Sequence, residues 1–221
     1  MLSELLQSNL KALILSEKFS DLLDESEETG FGQIPENPRE QDSVSLWKRK
    51  LLIASSIASG LEFLHSKGYG HGNLSASKVL FGLDMTEVKI SFYGGLEEAF
   101  ANQLSKSSSS SLEEKDLFDL GVVLLELFLG KLLGSNTTSE GLLIYWILGI
   151  ISLQSLKKNR ADVEGTLEKV SIKRKNKLLQ RTQIEFLEIV SKLCQPNAQS
   201  RPKLSIVLLL LKDLYLQISS V

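Results

Sequence analysis

The sequence has few of the features that mark a secreted, nucleic-acid-binding or membrane protein. Its 221 residues include a single cysteine, Cys194, so a disulfide within the chain is impossible. A chain without disulfides fits a reducing compartment. Its net charge of -2 lacks the basic excess that phosphate backbones attract. We therefore expect a cytoplasmic protein with no nucleic-acid partner.

Apolar runs of membrane-spanning length are also missing. Residues 120–129 are apolar except for Glu126, and residues 141–151 are apolar throughout, but both fall short of the roughly 18 apolar residues that span a bilayer. The N-terminus lacks the basic start and long apolar centre of a signal peptide. Apolar residues make up 43% of the chain, which is ordinary for globular proteins. The composition therefore predicts one domain with a sizeable core, or two small ones, and no membrane span in this chain.

Helical periodicity is the strongest pattern in the sequence. Apolar residues recur at helical spacing in residues 45–66, and Ser45 can cap the start of that helix. Further helices are predicted at residues 116–129, 139–153, 183–194 and 203–218. The last helix carries an apolar stripe that we interpret as core packing, formed by Leu204, Val207, Leu208, Leu211, Leu214 and Ile218. Trp47 and Trp146 are also expected in or near the core.

Strand signals are few and short. The apolar run at residues 12–15 has the length of a buried strand, and residues 79–81 and 88–92 predict a small hairpin. Residues 24–44 are acidic and then rich in glycine and proline, whereas residues 101–113 contain the serine run SKSSSSS. Both compositions are typical of flexible loops. Periodicity alone therefore predicts a mainly α domain with a little β-structure.

Four blocks of sequence resemble protein kinases and occur in the kinase order. Residues 45–81 resemble the helix and catalytic loop, through SLWKRKLLIASSIASGLEFLHSKGYGHGNLSASKVLF, and residues 88–95, VKISFYGG, resemble the metal-binding loop and its strand. Residues 116–131, DLFDLGVVLLELFLGK, resemble the helix that anchors the lobe, and residues 194–211 resemble the C-terminal Arg-Pro signature. The resemblance extends over residues 11–216. It implies the C-terminal lobe of a kinase-like fold, a helical bundle with a small β-hairpin, most similar to plant receptor-like kinases.

The same resemblance suggests a division of the chain. Residues 1–19 correspond to a remnant of the small lobe and the hinge, and residues 20–221 to the C-terminal lobe. A kinase small lobe carries a glycine-rich G-x-G-x-x-G loop, and the sequence contains none. If a nucleotide binds, the resemblance places Glu17, Lys18 and Phe19 at the hinge.

The residues that match the kinase catalytic loop differ from the catalytic ones. His71 is retained, and the family resemblance implies a packing role for it. Asn73 stands where an aspartate accepts the substrate proton, and a carboxamide has no useful basicity. Ser75 replaces the phosphate-contacting lysine, and Lys78 replaces a metal-binding asparagine. Phe92 replaces the principal metal-binding aspartate and offers no oxygen to a metal. We therefore expect no catalytic residue, no metal site and no cofactor, with ATP binding at most weakly and without a normal Mg²⁺ site.

Residues that build the kinase lobe are retained. By resemblance, Asp116 hydrogen-bonds the backbone of the catalytic loop, and Gly121 allows close packing. Arg201 matches an arginine that pairs with a glutamate of the activation segment, but that motif is missing here. Glu113 or Glu114 is a candidate substitute, since an unpaired buried arginine would be costly.

The pattern of losses predicts a catalytically inactive, pseudokinase-type interaction or scaffold module in receptor-like kinase signalling. Its expected partner is a protein, such as a kinase or receptor, which would hold it at the inner face of the plasma membrane. Three alternatives stay open. They are a divergent or N-terminally truncated protein kinase with residual ATP binding or phosphotransferase activity, a truncated product without a role of its own, and an unrelated helical bundle.

Overall fold

The computed structural model describes residues 6–15, 38–82, 87–91, 109–133 and 167–220. Within those ranges the elements, in chain order, are β1 (Leu6–Asn9), α1 (Leu10–Leu15), α2 (Pro38–Ser66), β2 (Val79–Gly82), β3 (Val88–Ile90), α3 (Ser109–Leu129), α4 (Leu167–Leu193) and α5 (Leu204–Ser219). The predicted class, mainly α with a small β-structure, is confirmed. The predicted helix at residues 139–153, Trp146 and the predicted boundary between residues 19 and 20 lie outside the described residues.

Three helices begin earlier than the sequence predicted, and one of them, α4, starts at Leu167 instead of residue 183. α2 starts at Pro38 and α3 starts at Ser109, so the loop predictions are wrong for residues 38–44 and 109–113. Proline is favoured in the first turn of a helix because its missing N–H would have no partner there. Serine is likewise favoured near helix starts. The proline and the serines that were interpreted as loop residues therefore lie in the first turns of helices.

The strand predicted at residues 12–15 is also wrong, because these residues lie in α1. The side chain of Asn9 accepts a hydrogen bond from the backbone N–H of Ala12 at 2.9 Å, which caps the first turn of α1. The strand lies just before it, at β1. A short apolar run fits a buried strand and a buried helix turn equally well, so the cap decides between them.

The three strands form one antiparallel sheet with β2 in the centre. Asn9 pairs with Leu80 on one side of β2, and Val79 pairs with Ile90 on the other. The predicted hairpin is therefore present, and β1 extends it into a third strand. Val79 and Phe81 are both fully buried, as expected for alternate residues on one face of a strand. This sheet fixes the end of the loop that precedes β2.

The helical core is joined by a cluster of aromatic rings. Trp47 of α2 meets Phe128 of α3 and Phe186 of α4 edge-to-face, with ring centroids 5.8 and 5.2 Å apart. Its indole N–H donates to Thr182 Oγ1 at 3.0 Å, so the polar group of the ring is satisfied inside the core. The prediction for Trp47 is confirmed, and three helices are held together at this point.

Two further features show how the helices pack together. All six residues of the predicted stripe on α5 are buried, which confirms its interpretation as core. Gly121 of α3 lies against the end of α4, where an added Cβ would come within 2.7 Å of Cys194 Sγ and 2.9 Å of Leu193 Cβ. A larger residue at position 121 would separate the two helices.

Candidate functional site

The candidate site is the loop at residues 71–78, which connects the end of α2 to β2. α2 is closed by Gly68, whose N–H donates to the His65 carbonyl oxygen at 2.9 Å and whose φ is +79°. Gly72 also has a positive φ of +72°, a conformation that glycine adopts without steric cost. The chain therefore turns sharply into the loop, where any side chain at position 72 would be strained.

Asp116, at the buried face of α3, anchors this loop. Its carboxylate accepts hydrogen bonds from the backbone N–H groups of His71 at 2.6 Å and of Gly72 at 2.7 Å. It also contacts His65 Nε2 at 2.9 Å, and a carboxylate can only accept, so His65 donates. Asp116 is fully buried. This is the arrangement that the resemblance implies for Asp116. The contact with His65 was not predicted by any sequence pattern.

His71 joins the loop to the end of the hairpin. Its Nδ1 accepts from the backbone N–H of Asn73 at 3.3 Å, and its Nε2 lies 3.0 Å from the Ser91 carbonyl oxygen. Nε2 therefore carries the proton and donates to that oxygen. Burial lowers the pKa of His71, which favours the neutral ring. With both nitrogens engaged, His71 has a bridging position and no nitrogen directed to a substrate.

The remaining residues of the loop carry little catalytic chemistry. Asn73 is exposed, and Ser75 Oγ lies 3.0 Å from Ser77 Oγ. Lys78 closes the loop through its backbone, since its N–H donates to the Ser75 carbonyl oxygen and its own carbonyl oxygen accepts from the Ser91 N–H at 2.7 Å. The structure thus brings His71, Asn73, Ser75 and Lys78 into one ordered turn. Phe92, Glu17, Lys18 and Phe19 lie outside the described residues.

Lys115 and Asp119 form a second anchor beside Asp116. Lys115 Nζ donates to the Gly72 carbonyl oxygen and to Asp119 Oδ2 at 2.8 Å. Burial raises the pKa of Asp119, against the opposing effect of the Lys115 hydrogen bond. This pair was not predicted from the sequence, although a lysine and an aspartate four residues apart on a helix are a recognisable signal.

Arg201 is held by carbonyl oxygens. Its guanidinium donates to the Glu114 carbonyl oxygen at 2.6 Å and to the Gln195 carbonyl oxygen at 2.9 Å. The Glu114 carboxylate accepts from Gln199 Nε2 at 2.6 Å. Arg201 therefore contacts Glu114, one of its two predicted partners, but it contacts the backbone carbonyl oxygen of Glu114 and not the carboxylate. These hydrogen bonds connect the start of α3 to the segment before α5.

The side chains of the loop offer few ligands to Mg²⁺. Among the described residues, no group of three or more histidine, cysteine, aspartate or glutamate side chains is placed to hold a metal. Magnesium requires several oxygen ligands, whereas Lys78 offers an ammonium group that has no lone pair and repels a cation. Asn73 contributes one neutral amide oxygen. The chemistry of this donor set disfavours Mg²⁺ at the loop.

Comparisons with known proteins agree with the architecture. The family model described as protein tyrosine and serine/threonine kinase matches residues 10–211. A probable LRR receptor-like serine/threonine-protein kinase of Arabidopsis thaliana is 46% identical over 27% of this chain and 7% of its own length. A probable serine/threonine-protein kinase of Dictyostelium discoideum is 26% identical over 78% of this chain and 38% of its own length.

A third relative carries a different description. An inactive leucine-rich repeat receptor-like serine/threonine-protein kinase of Arabidopsis thaliana is 25% identical over 49% of this chain and 20% of its own length. The chain thus spans between 7% and 38% of the length of these three relatives. Among the helices in the described ranges, none combines the length and apolar character needed to cross a bilayer.

Proposed function

We propose that this chain, which belongs to the protein tyrosine and serine/threonine kinase family, is a non-catalytic member that acts as a protein-interaction module. Phosphoryl transfer depends on metal ions, a base and correct positioning of the nucleotide. Asp116 holds the loop in place, but the side chains at the functional positions of the loop cannot supply these groups. In this role the chain binds other proteins and transfers no phosphoryl group.

The observation that carries the proposal is the pairing of an intact anchor with an altered loop. Asp116 still holds the loop backbone at His71 and Gly72. In the same loop, Asn73 offers an amide in place of a carboxylate, and Lys78 offers a cation where a metal ligand is expected. An intact support around altered chemistry favours a retained folded surface over retained catalysis.

The two aspartates beside the loop give no replacement base. Asp116 is fully buried and accepts hydrogen bonds from the loop. Asp119 is paired with Lys115 at 2.8 Å, which in turn holds the Gly72 carbonyl oxygen. A general base must reach the substrate proton within hydrogen-bonding distance. Both carboxylates are instead committed to holding the loop.

The proposed partner is another protein of the kinase or receptor class. Two of the relatives named above are described as receptor-like kinases, and one of these is described as inactive. Near the C-terminal end of α2, Phe63 and Tyr69 expose 62% and 37% of their surface, and exposed aromatic residues are enriched in protein interfaces. Through such a partner the chain would act on the cytoplasmic side of the plasma membrane.

A titration with ATP tests the non-catalytic assignment. A ligand that binds the folded state raises the unfolding temperature by mass action. We expect that millimolar ATP leaves the unfolding temperature of the wild-type chain unchanged, and that Mg²⁺ does not enhance any response. A shift that requires Mg²⁺ would contradict the proposal, because it would demonstrate a metal-dependent nucleotide site.

A second candidate, weak metal-independent nucleotide binding, rests on the position of Lys78. Its side chain is partly buried in the ordered turn, and its charge could hold a phosphate without Mg²⁺. The same titration separates this candidate, which predicts a shift that Lys78→Asn abolishes. Lys89→Asn is the matched control, because Lys89 is an exposed lysine on β3 paired with Glu87.

Capture of partners tests the interaction role. The wild-type chain is compared as bait with a Phe63→Glu, Tyr69→Glu variant, and both are checked for the same unfolding temperature. We expect a kinase or receptor protein to bind the wild-type bait and to be lost from the variant. Equal recovery on both baits would exclude this aromatic surface from the interaction.

A further inference from the structure

The chain has two histidines, and both take part in the contacts of the loop at residues 71–78. His65 contacts the anchoring carboxylate of Asp116 through Nε2 at 2.9 Å. His71 belongs to the loop itself and is buried. Histidine is the side chain whose charge ordinarily changes between about pH 5 and pH 8. A change of pH in this range therefore acts directly on the contacts that shape the loop.

The two hydrogen bonds of the His71 ring require its neutral form. Nε2 donates to the Ser91 carbonyl oxygen at 3.0 Å, while Nδ1 accepts from the Asn73 N–H at 3.3 Å. A protonated ring carries a hydrogen on both nitrogens and has no acceptor left. Rotating the ring cannot restore one, so protonation sets two N–H donors against each other at Asn73. In a buried position such a mismatch is costly.

Charged groups from three parts of the fold surround the His71 ring. Asp116 and Asp119 of α3 favour its protonation, and Lys78 at the end of the loop opposes it. His65 of α2 shares Asp116 Oδ2 with the backbone N–H of His71. Burial has the largest effect and lowers the pKa of His71 below its ordinary value of 6.5. The two carboxylates therefore reduce this shift without reversing it.

His65 responds differently to the same change of pH. Its Nε2 donates to Asp116 Oδ2, and an imidazole keeps that donor when it is protonated. Protonation makes this hydrogen bond a charge-assisted one, which is stronger. The anchor that Asp116 provides to the N–H groups of His71 and Gly72 is therefore retained at acid pH, while the contact at Asn73 is lost.

The far end of the loop is held by backbone groups, which do not titrate in this range. The Lys78 N–H donates to the Ser75 carbonyl oxygen at 2.9 Å, and the Lys78 carbonyl oxygen accepts from the Ser91 N–H at 2.7 Å. Asn73 and Leu74 alone lie between these contacts and the carboxylate anchor. Leu74 is buried, so a movement of this short segment brings an apolar side chain towards solvent.

We propose that His71 is a proton-sensitive switch of the loop, whose protonation releases the Asn73 N–H and displaces Asn73 and Leu74 while the anchors on either side hold. The switch follows from the two donor and acceptor roles of one ring, of which protonation removes the acceptor. It concerns the conformation of the loop, so it is independent of whether the chain binds a nucleotide or a protein partner.

A pH titration of the full chain by NMR spectroscopy, from about pH 7.5 to about pH 5, tests the proposal. Ring signals report the protonation of each histidine, and the backbone amide signal of Asn73 reports its hydrogen bond. We expect the His71 ring to titrate below 6.5 and the Asn73 amide to shift with the same midpoint. The Ser200 amide, which donates to the Asn197 carbonyl oxygen, is the internal control and should not follow that midpoint.

His65→Gln and His71→Gln separate the two histidines. A glutamine side chain has a donor and an acceptor but does not titrate in this range. His65→Gln leaves one histidine, so its ring signal belongs to His71, and the Asn73 amide is expected to shift as in the wild type. His71→Gln is expected to abolish the shift of the Asn73 amide.

Urea unfolding verifies that each variant is folded and adds a second reading. Because its folded pKa is lowered, the stability that neutral His71 contributes is present above the unfolded pKa and is lost as the pH falls towards the folded pKa. The urea midpoint of the wild type should therefore fall more between about pH 7.5 and about pH 5 than the midpoint of His71→Gln does.

Three results would overturn the proposal. They are a His71 ring that titrates at or above its ordinary value, an Asn73 amide that does not follow the ring, and a pH response of that amide that persists in His71→Gln. If His71→Gln does not fold, the titration of His65→Gln decides alone, because the first two results are read from its single remaining ring.

Discussion

Asp116 is the residue that determines the shape of the loop. It is fully buried, and its two carboxylate oxygens receive the N–H groups of His71 and Gly72 together with the His65 ring. Groups buried in this way are costly to leave unpaired. The geometry of the loop therefore depends strongly on this carboxylate, together with the contact that Lys115 makes to the Gly72 carbonyl oxygen.

Replacing Asp116 by asparagine should destabilise the chain strongly. One oxygen becomes an NH₂ group that faces existing N–H donors, so we expect the free energy of unfolding to fall by about 2–4 kcal/mol. Urea unfolding measures the change. Glu185→Gln is the matched control, because Glu185 pairs with Arg181 on the surface of α4, and its loss should cost less than about 0.5 kcal/mol. Equal effects of the two substitutions would contradict the anchoring role.

Burial of Lys50 makes the stability of the folded chain depend on pH. Burial lowers the pKa of Lys50 from 10.5 to about 8, and its ammonium donates to the Phe128 carbonyl oxygen at 2.9 Å. Between these two pKa values the unfolded chain binds more protons than the folded chain. The contribution of Lys50 to stability is therefore highest above the unfolded value and is lost as the pH falls through the folded value.

Lys50→Met provides the reference that isolates this effect. The other titrating groups cancel when the variant is compared with the wild type at each pH. We expect the wild type to gain about 2–3 kcal/mol relative to the variant between about pH 7 and pH 10. Urea unfolding at both pH values gives the two differences. A difference that does not change with pH would show that Lys50 titrates normally in the folded chain.

At the scale of elements, the sequence predicts where long helices occur but not where they begin, since α4 starts at Leu167 instead of residue 183. Short segments are predicted poorly. The α5 stripe could be predicted because its apolar residues repeat at helical spacing over several turns. β1 and α1 could not, because residues 12–15 form an apolar run too short to show a period. The side chain of Asn9, which caps α1, resolves the ambiguity through a contact that only the folded chain reveals.

The candidate site shows the same limit for contacts between elements. The loop residues were found from their order along the chain, and Asp116 from the block that resembles a kinase helix. His65 and the contact of Lys115 with Gly72 were missed because the partners of each contact lie far apart in the sequence. Arg201 was expected to meet a carboxylate, but it meets the Glu114 carbonyl oxygen. A motif identifies the arginine, whereas the backbone path decides which oxygen it reaches.

The contact between α3 and α4 yields a prediction for Gly121. Alanine would place its Cβ within 2.7 Å of Cys194 Sγ and 2.9 Å of Leu193 Cβ. We expect Gly121→Ala to lower the free energy of unfolding by about 1–3 kcal/mol, since overpacking outweighs the better helix propensity of alanine. Urea unfolding measures the loss.

The Gly121→Ala, Cys194→Ala double variant tests the cause of that loss. Removing Sγ relieves the shortest contact and leaves the one to Leu193 Cβ. Part of the lost stability should therefore return relative to Cys194→Ala alone, as expected for two residues in direct contact. Strictly additive effects would show that the two positions do not touch.

At the scale of the whole molecule, the helices and the sheet form a support for one loop. α2 delivers the chain into the loop, α3 holds it through Asp116, and the hairpin receives it at Lys78 and Ser91. Trp47 fixes α2 to α3 and α4 behind it. The chain belongs to the protein tyrosine and serine/threonine kinase family, whose model matches residues 10–211. The proposed loss of catalysis therefore concerns the loop surface and leaves the fold unchanged.

A phosphotransfer assay tests this central claim most directly. The wild-type chain is incubated with radiolabelled ATP, Mg²⁺ or Mn²⁺ and protein substrates, beside Asn73→Ala as the matched variant of the loop. The account predicts no incorporation above background for either protein, because Asn73 cannot accept the substrate proton and Lys78 opposes a metal. Incorporation by the wild-type chain that disappears in Asn73→Ala would contradict the account.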